Sequence, residues 1–108
     1  MKLYLLHLLK ETAKMNKPIK VKMFTKTVCP TCKVAKQQLS YLPIPVEIEE
    51  INIEDDTPFY DFKGNLIELK VEYLQEKLDS MSTPTFLFED GLVVRGFEMG
   101  QIQEALGL

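Results

Sequence analysis

The sequence predicts an α/β domain: a mixed four-stranded sheet with flanking helices, in the order β-α-β-α-β-β-α, behind a short helical N-terminal extension. Three observations carry this. Strand-like alternation from Ile19 to Thr25 gives way at Pro30 to apolar residues at helical spacing, a second β-like stretch follows Pro43-Ile44-Pro45, and two short apolar runs flank the hairpin signal Glu89-Asp90-Gly91. A strand-helix-strand start implies a parallel pair joined by a right-handed crossover, and the hairpin adds an antiparallel strand. At 108 residues the chain fits one domain able to bury about two-thirds of its unfolded surface.

Each element has its own signal. Residues 1–18 read as the extension, in which Leu5, Leu6, Leu9 and Ala13 form a helical stripe suited to lying on the domain or on a partner chain, and residues 19–108 read as the domain. Ile19, Val21, Met23 and Thr25 mark the first strand. Pro30 to Leu42 forms a helix stopped by Pro43-Ile44-Pro45. Val46, Ile48, Ile51 and Ile53 mark the second strand, with Glu49-Glu50 calling for either a bulge or a change of buried face. Glu54 to Asn65 is a polar link, longer than usual, whose Phe59, Tyr60 and Phe62 either cap the core or dock a partner, with capping the favoured reading. Asn65 followed by Glu68 is a helix-start signature, and Leu66, Ile67, Val71, Leu74, Leu78 and Met81 supply the apolar face of a second helix. Phe86 to Phe88 and Leu92 to Phe97 are the hairpin strands, and Ile102, Ala105 and Leu106 belong to a terminal helix.

Composition excludes several functions. A formal net charge of -3, with no basic patch interleaved with aromatics, argues against a nucleic-acid binder. The apolar run Leu3 to Leu9 holds His7 and meets Lys10-Glu11 without a small-residue cleavage site, so it is a poor signal peptide and too short to span a bilayer. The acidic segment from Glu47 to Asp56 reads as a strand end and a solvated loop. With no export signal, a redox-type cysteine spacing points to a reducing cytoplasm.

The chemistry lies in Lys26-Thr27-Val28-Cys29-Pro30-Thr31-Cys32-Lys33, which holds the only two cysteines of the chain. The strand-to-helix junction places Cys29 at a helix start, where exposed N–H groups and the helix dipole favour an anion and lower a thiol pKa from about 8.5 to roughly 3.5–7.5. Cys32 lies about one turn on, in line with Ala35, Leu39 and Leu42, so it faces the core. Cys29 is therefore the outward-pointing nucleophile and Cys32 the resolving thiol. Pro30 pre-sets the first helical residue, and Lys26, Lys33 and Lys36 add positive charge that favours a thiolate and suits an anionic substrate group. A purely structural disulfide is disfavoured, because so short a loop restricts the unfolded chain little. Structural zinc needs four ligands, and two Cys with a distant His7 leave it only as a site shared between chains.

Residues 21–32 resemble the glutaredoxin branch of the thioredoxin-like superfamily, in which a strand and Lys precede Cys-Pro-x-Cys, and Thr83-Pro84-Thr85-Phe86 resembles that family's cis-proline loop. With the element order, the resemblance covers residues 19–108 and implies a thioredoxin-like fold and a dithiol thiol-disulfide oxidoreductase. It also implies a cis bond at Pro84, which would present the Thr83 backbone as an edge for a substrate peptide or glutathione. Glutathione-using members often carry an aromatic at the place of Thr31 and a Gly-Gly-x-Asp-like turn at the place of Gly96-Phe97-Glu98. Gly96-Phe97 instead resembles the turn of glutaredoxin-like proteins that reduce ribonucleotide reductase and are recharged by thioredoxin reductase. The expected site is Cys29 and Cys32 with Lys26, Pro30, Thr31, Thr83, Pro84, Gly96 and Phe97 around the substrate. No bound cofactor or metal is expected. The external reductant is glutathione or a thioredoxin-reductase-type flavoprotein, the substrate a disulfide-containing protein, ribonucleotide reductase among the candidates, and neither nucleic acid nor membrane is a partner. Open alternatives are a monothiol reaction on glutathionylated proteins and a redox-silent binding module; a dimeric iron-sulfur carrier ranks below both, because Pro30 stiffens the turn.

Overall fold

The computed structural model of the protein describes residues 18–108. The predicted N-terminal extension, all but Pro18, lies outside the described residues. A four-stranded sheet in the order β2-β1-β5-β6 forms the centre, built from β1 (Ile19–Thr25), β2 (Val46–Asn52), β5 (Thr85–Phe88) and β6 (Val93–Arg95). β1 and β2 are parallel, whereas β1–β5 and β5–β6 are antiparallel. The mixed sheet expected from the element order is therefore present.

Period-two alternation sends two different sets of side chains to the two faces. Val21, Met23, Phe86, Phe88 and Val94 point to one face, where α1 (Pro30–Ser40) contributes Cys32, Ala35 and Leu39 and the terminal helix α3 (Met99–Ala105) contributes Ile102. Phe24, Ile51 and Leu87 point to the other, against Phe59, Leu74 and Leu78. In β2 the pairing with β1 runs in continuous register from Ile19↔Val46 to Thr25↔Asn52, so Glu49-Glu50 makes no bulge. Val46 and Ile48 pack on the α1 face and Ile51 and Ile53 on the opposite one. The change of buried face is the correct reading, and each glutamate pairs with a lysine on its own side, Glu49 with Lys22 and Glu50 with Lys36.

The segment between β2 and β5 differs from expectation. Phe59–Tyr60 (β3) and Leu66–Ile67 (β4) pair as a small antiparallel hairpin, and the second helix, α2, starts only at Lys70. Asn65 is not a helix cap. The Asp61 carboxylate takes the Lys63 and Asn65 N–H groups and the Asn65 side-chain amide, and Gly64 turns at φ 88, so the polar cluster that imitates a helix start closes a turn instead. α2 runs as one α-helical turn, Lys70–Glu72, into a π-helical segment, Tyr73–Lys77, in which the Leu78 N–H reaches back to the Tyr73 carbonyl. Leu74 and Leu78 are its buried face, while Val71 and Met81 are exposed. Phe59 and Phe62 do cap the core, and Phe59 meets Phe24 edge-on with centroids 5.5 Å apart, but Tyr60 is turned to solvent.

Candidate active site

β1 ends at Thr25, and the loop Lys26–Val28 carries the chain across the end of the sheet to Cys29, the N-cap of α1. Pro30 occupies the first helical position, where its missing N–H costs nothing. Cys29 Sγ accepts the Cys32 N–H at 3.3 Å and is joined to Cys32 Sγ in a disulfide. The sulfur thus sits at the N-terminal end of a helix within reach of a backbone N–H, the environment that stabilises a thiolate when the bond is reduced. In this oxidised state Cys29 does not stand outward as the sequence implies: it is 7% exposed, against 3% for Cys32. The loop before β5 covers it, Thr83 Oγ1 lying 3.9 Å from its Sγ. A disulfide sulfur carries no hydrogen, so any hydrogen bond here is donated by the Thr83 hydroxyl.

That loop is held from two sides. The Thr83–Pro84 peptide bond is cis. Beneath it, Thr85 donates its hydroxyl to the Ser82 carbonyl at 2.6 Å, so the 2.7 Å contact between Thr85 and Ser80 is donated by Ser80, whose oxygen accepts the Ser82 N–H. On the other side the Gly96 N–H donates to the Pro84 carbonyl at 2.8 Å, with Gly96 at φ 81, and Phe97 packs in the core cluster that contains both cysteines. Cys29, Thr83, Pro84, Gly96 and Phe97 therefore lie together. Pro30 and Thr31 are exposed on the first turn of α1.

Lys26 faces a different side of the pair. It lines a cleft of about 520 Å³ beside both cysteines, together with Lys33 and Lys36 from α1 and Glu50, Asn52 and Asp55 from β2 and its following loop. Lys36 is bound to Glu50 at 2.7 Å, so Lys26 and Lys33 are the cleft's cations without an ion-pair partner among the described residues. The sequence reading missed the acidic and amide side of this cleft. The Glu54 carboxylate accepts the Thr27 N–H at 2.6 Å, the Asn52 side chain donates to Thr27 Oγ1 and takes the Glu54 N–H, and the Thr25 carbonyl accepts the Ile53 N–H. Asn52 and Glu54 thereby hold the loop that delivers Cys29. The parallel β1–β2 pairing, which the sequence did imply, contains the signal: two parallel neighbours bring their C-terminal ends to one edge, so residues just after β2 must lie beside residues just after β1. Asp55 in turn binds the buried Lys70 ammonium, which with the Thr57 N–H holds its carboxyl below the usual carboxylate range. No cluster of His, Cys, Asp and Glu among the described residues has metal-binding geometry.

A family model described as Glutaredoxin matches residues 21–93, which hold most of β1, the cysteine pair, the cis-proline loop and β5 with the turn that follows it. The chain belongs to the glutaredoxin family. Its sheet and helices also match solved thioredoxin-like proteins. The crystal structure of the thioredoxin-like protein BC3987 shares 28% identity, with a TM-score of 0.59 over 78% of this chain and 96% of that one. A single-substitution mutant of that protein gives 25% identity and a TM-score of 0.61 over 81% and 94%. No curated protein sequence matches. The glutaredoxin and thioredoxin-like relationships identify a thiol oxidoreductase fold with a redox-active Cys29–Cys32 pair. Among the described residues no helix is long and apolar enough to cross a membrane.

Proposed function

We propose that this glutaredoxin reduces protein disulfides by a dithiol mechanism in a reducing cytoplasm, with Cys29 as nucleophile and Cys32 as resolving thiol. The observation that carries it is the position of Cys29 Sγ, at the start of α1, accepting the Cys32 N–H and already bonded to Cys32. The Cys29 thiolate attacks one sulfur of a substrate disulfide, the substrate S–S bond breaks, and the departing thiolate takes a proton from solvent. Cys32 then gives up its proton and attacks Cys29 Sγ, which breaks the mixed disulfide and releases the second substrate thiolate to be protonated. Two electrons have passed to the substrate, and the chain is left as the Cys29–Cys32 disulfide.

The substrate backbone pairs with Thr83 beside cis-Pro84, flanked by Gly96 and Phe97, while Lys26, Pro30 and Thr31 border the other side of Cys29. No resident cofactor takes part. Glutathione is the external reductant usual for the family. In this chain a flavoprotein of the thioredoxin-reductase type is the better fit, since Thr31 is not aromatic and exposed Glu98, the N-cap of α3, sets a negative charge where a tripeptide carboxylate would bind. The substrate is a protein disulfide, with that of ribonucleotide reductase among the candidates because the Gly96-Phe97 turn resembles that of the glutaredoxin-like proteins that reduce it. The deciding experiment follows NADPH oxidation with glutathione plus glutathione reductase and, in parallel, with thioredoxin reductase. Fast turnover only in the second arm is expected. Saturable turnover only with glutathione overturns the choice of reductant, and no turnover in either arm, with a function that survives Cys29→Ser, makes the chain a redox-silent binding module.

A further inference from the structure

The loop that carries Cys29 hangs from one neighbour. Lys26, Thr27 and Val28 are all exposed, and the hydrogen bonds that reach them from other elements among the described residues both end on Thr27, two residues before the nucleophile. Its N–H donates to the Glu54 carboxylate at 2.6 Å, and its hydroxyl oxygen accepts the Asn52 side-chain amide at 3.3 Å. An exposed N–H can bond water instead, so the carboxylate contributes little to stability. What it fixes is position.

The anchor is itself restrained. The Ile53 N–H donates to the Thr25 carbonyl at 2.8 Å, and the Glu54 N–H donates to Asn52 Oδ1 at 2.9 Å. Asp55, the next residue, is bound by the buried Lys70 ammonium at the start of α2 and by the Thr57 N–H. The segment from Asn52 to Asp55 is thereby tied to β1 on one side and to α2 on the other, and Glu54, although exposed, presents its oxygens from a fixed backbone. At the far end of the Thr27 loop, Cys29 Sγ accepts the Cys32 N–H at 3.3 Å, a contact that depends on where the loop sets the N-cap.

We propose that Glu54, together with Asn52, is a positioning residue for Cys29: by fixing Thr27 it holds the sulfur on the helix-start N–H and so raises the thiolate population. The inference rests on Cys29 as the attacking thiol and not on the choice of substrate or reductant. The carboxylate acts on that sulfur in two opposed ways. Its hydrogen bond to Thr27 favours the thiolate through position, whereas its negative charge, held on the residue two before Cys29, disfavours it. Loss of the charge alone lowers the Cys29 pKa, and loss of the hydrogen bond raises it, so the sign of the change separates the two roles.

Iodoacetamide alkylation of the reduced protein as a function of pH, in a Cys32→Ser background where Cys29 is the one thiol left, tests it. Glu54→Gln keeps an oxygen for the Thr27 N–H, Glu54→Ala keeps none, and both are neutral, so the difference between them isolates the hydrogen bond. The charged groups around the cleft beside Cys29, which are Lys26, Lys33, the Lys36–Glu50 pair and Asp55 with Lys70, are common to all variants. The Cys29 pKa in Glu54→Gln should lie at or below that of the parent. In Glu54→Ala it should lie about 0.5 pH unit above Glu54→Gln, which in mildly acidic buffer makes alkylation about threefold slower. Asn52→Ala should follow Glu54→Ala, and the thermal midpoints of all variants should match the parent's. Coincident profiles for Glu54→Gln and Glu54→Ala overturn the proposal, as does an Asn52→Ala profile that follows the parent. A lowered thermal midpoint in Glu54→Ala with an unshifted profile overturns it in favour of a purely structural bond. A chain that reduces no disulfide in the reductase-coupled assays still gives these profiles, so failure of the proposed activity and failure of this role are distinguishable.

Discussion

At the scale of single residues, the two cysteines differ by position on one helix turn. Cys29 is the N-cap and Cys32 is inside the first turn, in line with buried Ala35 and Leu39, so it is the Cys29 sulfur that accepts a helix-start N–H, that of Cys32. Alkylation of the reduced protein at mildly acidic pH should label Cys29 first, and faster labelling of Cys32 would reverse the roles. Cys29→Ser should abolish disulfide reduction, while Cys32→Ser should retain the first attack and accumulate a mixed disulfide visible by mass spectrometry. The Asp55–Lys70 pair is asymmetric in another way: the Lys70 side chain is 4% exposed and that of Asp55 50%. Removing Asp55 strands a buried ammonium, whereas removing Lys70 leaves a carboxylate in water. Asp55→Asn should therefore lower the urea midpoint at neutral pH more than Lys70→Met does. The pH dependence has a definite sign. The folded state lowers the Asp55 pKa, through the Lys70 hydrogen bond first, so its contribution is complete above the ordinary 3.8 and is lost as pH falls through the folded value. Melting temperatures measured into acid should fall less steeply for Asp55→Asn than for the parent chain.

At the scale of elements, the site depends on loops locked by hydrogen bonds rather than on long helices. The Gly96 N–H ties the β6–α3 turn to the Pro84 carbonyl, and Gly96 does so at φ 81. A Cβ there would meet nothing within 4 Å, so the obstacle to a side chain is backbone conformation and not space. Gly96→Ala should cost roughly 1–2 kcal/mol in denaturant titrations and lower turnover with protein disulfides, because the loop over Cys29 loses its anchor. Arg95 plays a comparable part at the end of α2. Its guanidinium donates to the Leu78 and Asp79 carbonyls, with Nη2 to Leu78 at 2.8 Å and Nε to Asp79 at 2.8 Å, where the π-helical segment ends and Asp79 takes φ 50. Arg95→Met leaves those carbonyls to solvent and should cost about 1 kcal/mol with no change in the slope of the unfolding transition.

At the scale of the whole molecule, the sheet separates two cores with different duties. The α1 face holds the cysteine pair and its supports; the opposite face is closed by an inserted hairpin and a short α–π helix. Phe59 is the hairpin's main contribution, 5% exposed and in edge contact with both Phe24 and Tyr73. Phe59→Ala should cost about 3–5 kcal/mol in urea unfolding, as for other buried aromatics. Far-UV circular dichroism of the folded variant should remain that of the parent, since the central sheet does not depend on the hairpin for its strand pairing. A cost under 1 kcal/mol would mean that the hairpin is an ornament and not a wall of the core.

The amino-acid sequence by itself determined the four central strands in their order along the chain, the helix that starts at Pro30, the β5–β6 hairpin and the place of Cys29 at the start of that helix, because each rests on a local rule: period two, a proline at a first helical turn, Asp90-Gly91 between apolar runs. It misread Asn65 as a helix cap, because turn and cap use the same polar residues and only the location of the Asp61 carboxylate distinguishes them. Which face each apolar residue of β2 serves, the burial of Cys29 under Thr83, the Gly96–Pro84 tie and the Asn52 and Glu54 support of the Thr27 loop were decided only by the tertiary structure. Each joins residues 25 or more apart in sequence or a whole sheet face to its cover, apart from the Gly96–Pro84 tie across a single hairpin, and such pairings exist only once strands have found their neighbours.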